Sequence, residues 1–300
     1  MIDLRRLQTL RELADRGTIA ATADALHLTS SAVSQQLAVL EREVGQPLLE
    51  PNGRSVRLTA AARAVLDHAD ALFSEVERMD ATLAALAEGG AGTVRIGAFS
   101  TAIRGLLVPA VGLLRERHPG LELVIRDVES PEVFDAIALG ELDVGISMEH
   151  ARAPGRDDER FARFELMRDI LDVALPDGHA LSTADVELAD LAREPWIAPP
   201  EGWSCDDVIR VSCSAAGFAP AIAHRSGDWT AILALVGAGL GVAVVPRLAQ
   251  DAPPEGVVIR ELRGTPPARH LFVTCRRGAE EHPAIGAVVE TLRTVAAGGR

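Results

Sequence analysis

The chain has 300 residues, a 48% apolar fraction and a formal net charge of −13. That length predicts about two domains with real cores, and the negative charge excludes a nucleic-acid surface spread over the whole molecule. Aromatics are 3% with no Tyr, and the basic residues are all Arg, so the cores must be built from Leu, Val, Ile and Ala.

Leu4, Leu7, Leu10 and Ala14 recur at helical spacing, and Gly17 predicts the end of that helix. "TIAATADAL" (Thr18 to Leu26) predicts a short second helix with Thr18 as N-cap, and "HLT" a tight connection. "SSAVSQQLAVLEREV" predicts a third helix with Val33, Leu37, Leu40 and Val44 on one face, closed by Gly45. "LLEPNGRSVRLT" alternates around Pro-Asn-Gly, a hairpin signal. Between Met1 and Leu58 seven Arg face seven acids, so this tip is neutral and the charge deficit lies further on.

Helix, short turn, helix is the helix-turn-helix pattern, whose second helix presents its N-terminal residues to base edges in the major groove. Ser and Thr hydroxyls can serve phosphates or bases, and the amides of Gln35 and Gln36 can pair with adenine. The same residues also fit a plain reading, a Ser-Ser cap followed by solvated glutamines.

From Thr59 a long helix carries Val65, Ala69, Leu72, Val76, Met79, Leu83 and Leu86 at steps of four and three. That is a heptad seam for a second copy, or a face buried against the helix's own domain. It ends at "EGGAG". Beyond Gly92 the runs "VRIGA", "LELVIRDV", "DVGIS", "LDVAL", "PWIAP", "GVAVVP", "VVIREL" and "LFVTC" alternate with helical segments such as Ile103 to His118 and Trp229 to Gly237. This predicts an α/β domain with mostly parallel strands, dividing into two lobes.

"LQTLRELADRGTIAATADALHLTSSAVSQQLAVLEREVGQPLLE" and "VRLTAAA" resemble the DNA-binding region of LysR-type transcriptional regulators. The resemblance implies a winged helix-turn-helix (residues 1–58), a linker and dimerisation helix (59–91) and a two-lobed, periplasmic-binding-protein-like type 2 effector domain (92–300). Lobe I would take 92–164 and 267–300, and lobe II 165–266. It implies a homodimer or a dimer of dimers on double-stranded DNA, with base contacts from Ser30, Ser31, Ser34 and Gln35 and backbone contacts from Arg54 and Arg57. Six positions depart from the family's usual residues: Thr18-Ile19 for Ser-Phe, Ser30-Ser31 for Gln-Pro, Pro51 for Arg and Ala62 for Gly. The changes at Ser30 and Pro51 bear on the operator sequence rather than on DNA binding.

Ligands of open α/β sheets bind beyond the C-terminal strand ends. That places Ser100, Thr101, Glu129, Ser130 and Ser147 at a cleft, joined by Trp203, Ser204, Asp228 and Trp229 at helix starts. Ser100 and Thr101 suit a carboxylate or serve as a cap; the two Trp residues suit a planar ligand or act as a lid. Glu129, Glu201 and Asp228 point to an amine. The expected effector is a small molecule bearing a carboxylate or an amine. "GAGLGV" reads as a helix end before a strand, not a dinucleotide fingerprint. The eight scattered His and three Cys (Cys205, Cys213, Cys275) show no ligand spacing, so no metal, cofactor or catalytic constellation is expected. With no signal peptide and no long apolar run, the expected location is the cytoplasm, away from any membrane. The rival readings are a small-molecule binding protein without a DNA role and an enzyme on the same scaffold.

Overall fold

Local capping explains the N-terminal helices. In this computed structural model, α1 (Leu4–Arg16) starts where the Asp3 carboxylate accepts from the Arg5 N–H, and stops at Gly17 with φ 74°. In α2 (Ile19–Ala25) and α3 (Ser30–Val44) the hydroxyls of Thr18 and Thr29 accept from Ala21 and Ala32, and Gly45 closes α3 with φ 75°. Each such cap is worth about 1 kcal/mol. The structure describes residues 2–52, 55–86, 92–183, 185–250 and 253–298. These fall into two units, Met1–Leu83 with Arg277–Ala279, and Ala84–Arg276 with Glu280–Arg300.

The first unit packs α1 to α3 around Leu7, Leu10, Val33, Leu37 and Leu40, joined by Leu48. The Glu41 carboxylate accepts from the Leu48 and Leu49 N–H groups, fixing the entry to an antiparallel hairpin of β1 (Leu49–Asn52) and β2 (Ser55–Leu58). Gly53 and Arg54, between these strands, lie outside the described residues. Helix α4 (Ala60–Leu86) follows, 27 residues long, or about 40 Å.

The seven seam positions divide. Val65 and Ala69 pack into this unit's own core and Val76 is half-buried. Leu72, Met79, Leu83 and Leu86 remain 50% to 76% exposed. The exposed apolar stripe therefore starts at Leu72, because the first turns of α4 are used by the winged domain.

The second unit opens with β3 (Gly92–Ala98), then α5 (Ser100–Ala102), which continues through a π-helical turn (Ile103–Leu107) into α6 (Val108–Arg117). β4 (Leu121–Asp127), α7 (Ser130–Ala138) and β5 (Val144–Met148) follow. The glycines of β3 and β5 let α7 approach the sheet: a Cβ at Gly145 would lie 2.9 Å from both Ile137 and Val133. β6 (Phe161–Pro176) then runs for 16 residues. It leads into β7 (Pro195–Ala198), α8 (Ser204–Ala215), β8 (Ala221–Arg225), α9 (Trp229–Gly237) and β9 (Ala243–Pro246). β10 (Val257–Arg260), β11 (Ala268–Arg276) and α10 (Pro283–Gly298) complete the chain.

A path of strands runs β10-β6-β11-β5-β3-β4, with β9 also on β6 and a separate β7-β8 pair. The expectation of mostly parallel strands is corrected. The β3–β4, β3–β5 and β7–β8 ladders are parallel, whereas β11–β5, β11–β6, β6–β9 and β10–β6 are antiparallel. The cause is the pair of long strands, β6 and β11, which lie against each other and belong to both lobes. β10 and β11 run in the same direction, one after the other along β6. Two elements had no counterpart in the sequence reading, β8 and α10, and neither did the first half of β6. Among the described residues no helix is long and apolar enough to cross a membrane.

Candidate functional site

Two sites emerge, one on each unit. On α3 the apolar residues Val33, Leu37 and Leu40 are buried at no more than 2% exposure, which fixes the helix's rotation. Ser30, Ser31, Ser34 and Gln35 are consequently exposed together on the first two turns. Gln36, read with Gln35 as a base-reading amide, is corrected. Its Oε1 accepts from the Thr9 hydroxyl at 2.6 Å, tying α3 to α1. The helical period turns residue 36 toward α1, while residue 35 faces water. Arg57 is exposed on the hairpin, 2.7 Å from Glu50 in the facing strand. A pair this solvated is worth under about 1 kcal/mol, so it leaves the guanidinium available to a phosphate. Arg54 lies outside the described residues.

The second site is a cavity at the C-terminal ends of β3 and β4. The strands are in register at Ala98 and Asp127, so Ser100 and Glu129 follow at neighbouring strand ends. Ser100, Thr101, Glu129, Trp203 and Trp229 line one cavity together with Phe99, Cys205, Gly227 and Arg269. About 20 Å³ is free inside, room for one water. Trp203 covers it closely: a Cβ at Gly227 would lie 2.9 Å from the indole.

Four other expected residues do not line this cavity. Ser130 and Ser147 are fully buried and share a hydrogen bond with each other, and Ser130 Oγ also accepts from the Met148 N–H. Ser204 is 1% exposed and its hydroxyl has no partner. Asp228 caps α9 by accepting from the Thr230 N–H.

Arg269 is the residue the sequence reading missed. It is 1% exposed and lies against Asp169, with Nε donating at 2.8 Å and Nη2 at 2.7 Å. Nη2 also donates to Thr101 Oγ1 at 2.8 Å and Nη1 to the Cys205 sulfur at 3.5 Å. The guanidinium lies 4.9 Å from the Phe99 ring centre. Burial pushes the Asp169 carboxyl up, an effect opposed by Arg269 and by the Leu248 and Arg247 N–H groups. Burial also pushes the Cys205 thiol up, keeping it a thiol rather than a reactive thiolate. Glu129 is raised from 4.5 to about 7, first by burial, then by Asp127 and Glu132, with Arg269 acting the other way. The available signal was a charge beside an apolar run: Asp169 precedes the apolar half of β6 and Arg269 stands near the start of β11, where charged residues are rarely buried unpaired.

Comparisons with known proteins agree with this division. Residues 4–63 match the model of the bacterial regulatory helix-turn-helix protein, lysR family, and residues 87–297 match the LysR substrate binding domain. The chain is 30% identical over 278 residues to YnfL of Escherichia coli (strain K12), an uncharacterized HTH-type transcriptional regulator, covering 91% of this chain and 90% of that one. It is 31% identical over 297 residues to a small neutral protease regulatory protein of Streptomyces coelicolor, covering 96% and 90%. Full-length BenM superposes with a TM-score of 0.62 at 25% identity, covering 99% of this chain and 97% of that one. The chain therefore belongs to the LysR family: it is a DNA-binding transcriptional regulator with a helix-turn-helix domain and a two-lobed effector-binding domain.

Proposed function

We propose that two or four copies of this chain bind a dyad-symmetric operator in the cytoplasm, reading bases with Ser30, Ser31, Ser34 and Gln35. The observation that carries this reading is the common exposure of these four residues on a helix whose opposite face is core. Arg57, and Arg54 by the resemblance, hold the sugar-phosphate backbone. The exposed stripe Leu72, Met79, Leu83 and Leu86 supports pairing through α4, which sets two reading helices on half-sites a whole number of turns apart. A small molecule in the Ser100–Glu129–Trp203–Trp229 cavity selects one lobe arrangement. Switching most of the population takes about 5.5 kcal/mol of differential affinity, and closure of the lobes then alters the length of DNA contacted.

A gel-shift salt titration on the operator tests the DNA half. Arg57→Ala should weaken every sequence alike and lower the salt slope by about 0.9. Gln35→Ala should leave the slope unchanged and lose about 1–3 kcal/mol of discrimination at one base position. Identical behaviour of the two variants would refute the assignment.

A further inference from the structure

We propose that the protein carries a second small-molecule site, for an organic anion, on the face of the β6–β11 ladder that points away from the Asp169–Arg269 pair. Successive side chains of a strand point to opposite faces. Asp169 and Arg269 are opposite each other in the ladder, and so are the next two residues, Arg168 and His270, which therefore belong to the other face. The register shifts between Leu271 and Phe272, which oppose Met167 and Glu165, so Leu166 is the extra residue of a bulge. The bulge puts Arg163, Glu165 and Arg168 of β6 on one face with His270 and Phe272 of β11. Together with Glu149 and Arg156 from the β5–β6 connection they line a pocket of about 410 Å³, a size typical of small-molecule sites. It shares no lining residue with the cavity beside Ser100.

The ligand's charge follows from which groups are already satisfied. The two carboxylates are bridged by one guanidinium: Glu149 accepts from Arg156 Nε at 2.6 Å and Glu165 from Arg156 Nη1 at 3.2 Å. A cation would have to displace Arg156. The other basic groups are less well served. Arg163 donates through Nη2 to the Pro154 carbonyl, but its buried Nε has no partner among the described residues, a costly state for a donor. The Arg163 guanidinium lies 5.2 Å from the Phe134 ring centre and 4.9 Å from that of Phe272, so its position is set before any ligand arrives. Arg168 reaches only the Pro266 carbonyl, at 3.5 Å, and stands directly across the ladder from the imidazole of His270.

An inorganic anion would use only part of this pocket. Leu166, Met167 and Phe272 add apolar wall beside the donors, so the ligand that fits joins an oxyanion to an apolar body. A guanidinium binds carboxylate and phosphate alike through paired N–H groups, and both chemistries suit Arg163 and Arg168. Arg163 also fastens the β5–β6 connection through the Pro154 carbonyl. An anion held by Arg163 and Arg168 therefore ties that connection to β6 and, through His270, to β11.

Calorimetry on the full chain compares phenyl phosphate, phenylacetate, inorganic phosphate and the neutral phenylacetamide. The imidazole NMR signals of His270, assigned with His270→Gln, locate the binding. The expected result is that at least one of the two organic anions binds about tenfold or more tighter than phenylacetamide and inorganic phosphate and shifts the His270 signals. Arg168→Gln, a change to an exposed side chain, should weaken that binding about fivefold or more. Arg163→Lys should do the same, because lysine keeps the charge but lacks the Nε donor. Tighter binding of phenyl phosphate makes the ligand a phosphate monoester, and tighter binding of phenylacetate makes it a carboxylate. If neither organic anion binds at about 10 mM, or if phenylacetamide binds as well as they do, the proposal is overturned. It is overturned too if binding leaves His270 unmoved and survives Arg168→Gln unchanged, since the anion then sits elsewhere.

Discussion

The exposed face of α3 and the cavity at the ends of β3 and β4 treat polar side chains in opposite ways. Ser30, Ser31, Ser34 and Gln35 stand in water around a helix held only by its buried face. In the cavity Arg269, Asp169 and Thr101 are buried and bonded to one another before any ligand arrives. Exposed groups stay hydrated and adaptable, whereas buried ones are fixed to partners, because an unpaired buried charge is costly.

The contrast sets the order of expected effects. Arg269→Ala leaves Asp169 buried without its cation and should destabilise the effector domain by about 3–5 kcal/mol in urea unfolding. Gln35→Ala, made in water, should shift stability by no more than about 0.5 kcal/mol; comparable losses in both variants would break the distinction. Leu83→Asp tests the exposed stripe on α4. A buried leucine at a seam is worth about 1.5–3 kcal/mol, so the dimer dissociation constant from sedimentation should rise by at least about tenfold while the monomer's stability stays put. Glu129→Gln acts through pH alone. The folded chain holds a proton on Glu129 that the unfolded chain has released between 4.5 and about 7, so the native state is favoured below 4.5 and loses that advantage as pH rises through 7. The variant should therefore gain a few degrees of Tm over the parent at pH 8, converging with it below 4.5. A gain independent of pH would remove the carboxyl from the explanation.

What could be read in advance follows the same division. The bounds of α1, α2 and α3 were legible because caps and apolar spacing are local: Thr18, Gly17 and Gly45 each act within one turn, although the cap of α3 is Thr29 rather than the Ser-Ser pair. The use of Gln36 was not, since only the packing of α1 on α3 turns it toward Thr9. Strand existence was legible in "DVGIS" and "LDVAL"; strand direction was not, because it depends on how β6 and β11 pair across 100 residues of chain. Half of the cavity lay in loops after β3 and β4, where position alone suggested Ser100, Thr101 and Glu129. Trp203 and Trp229 were suggested in the same way by helix starts, but Arg269 comes from β11, 168 residues beyond Thr101, and no periodicity links those two points.

The pairing of β6 with β11 has a mechanical consequence. Asp169 and Arg269 are opposite each other in that ladder, so the ion pair beside the cavity also rivets the two longest strands together, and Thr101 is fastened directly to that rivet.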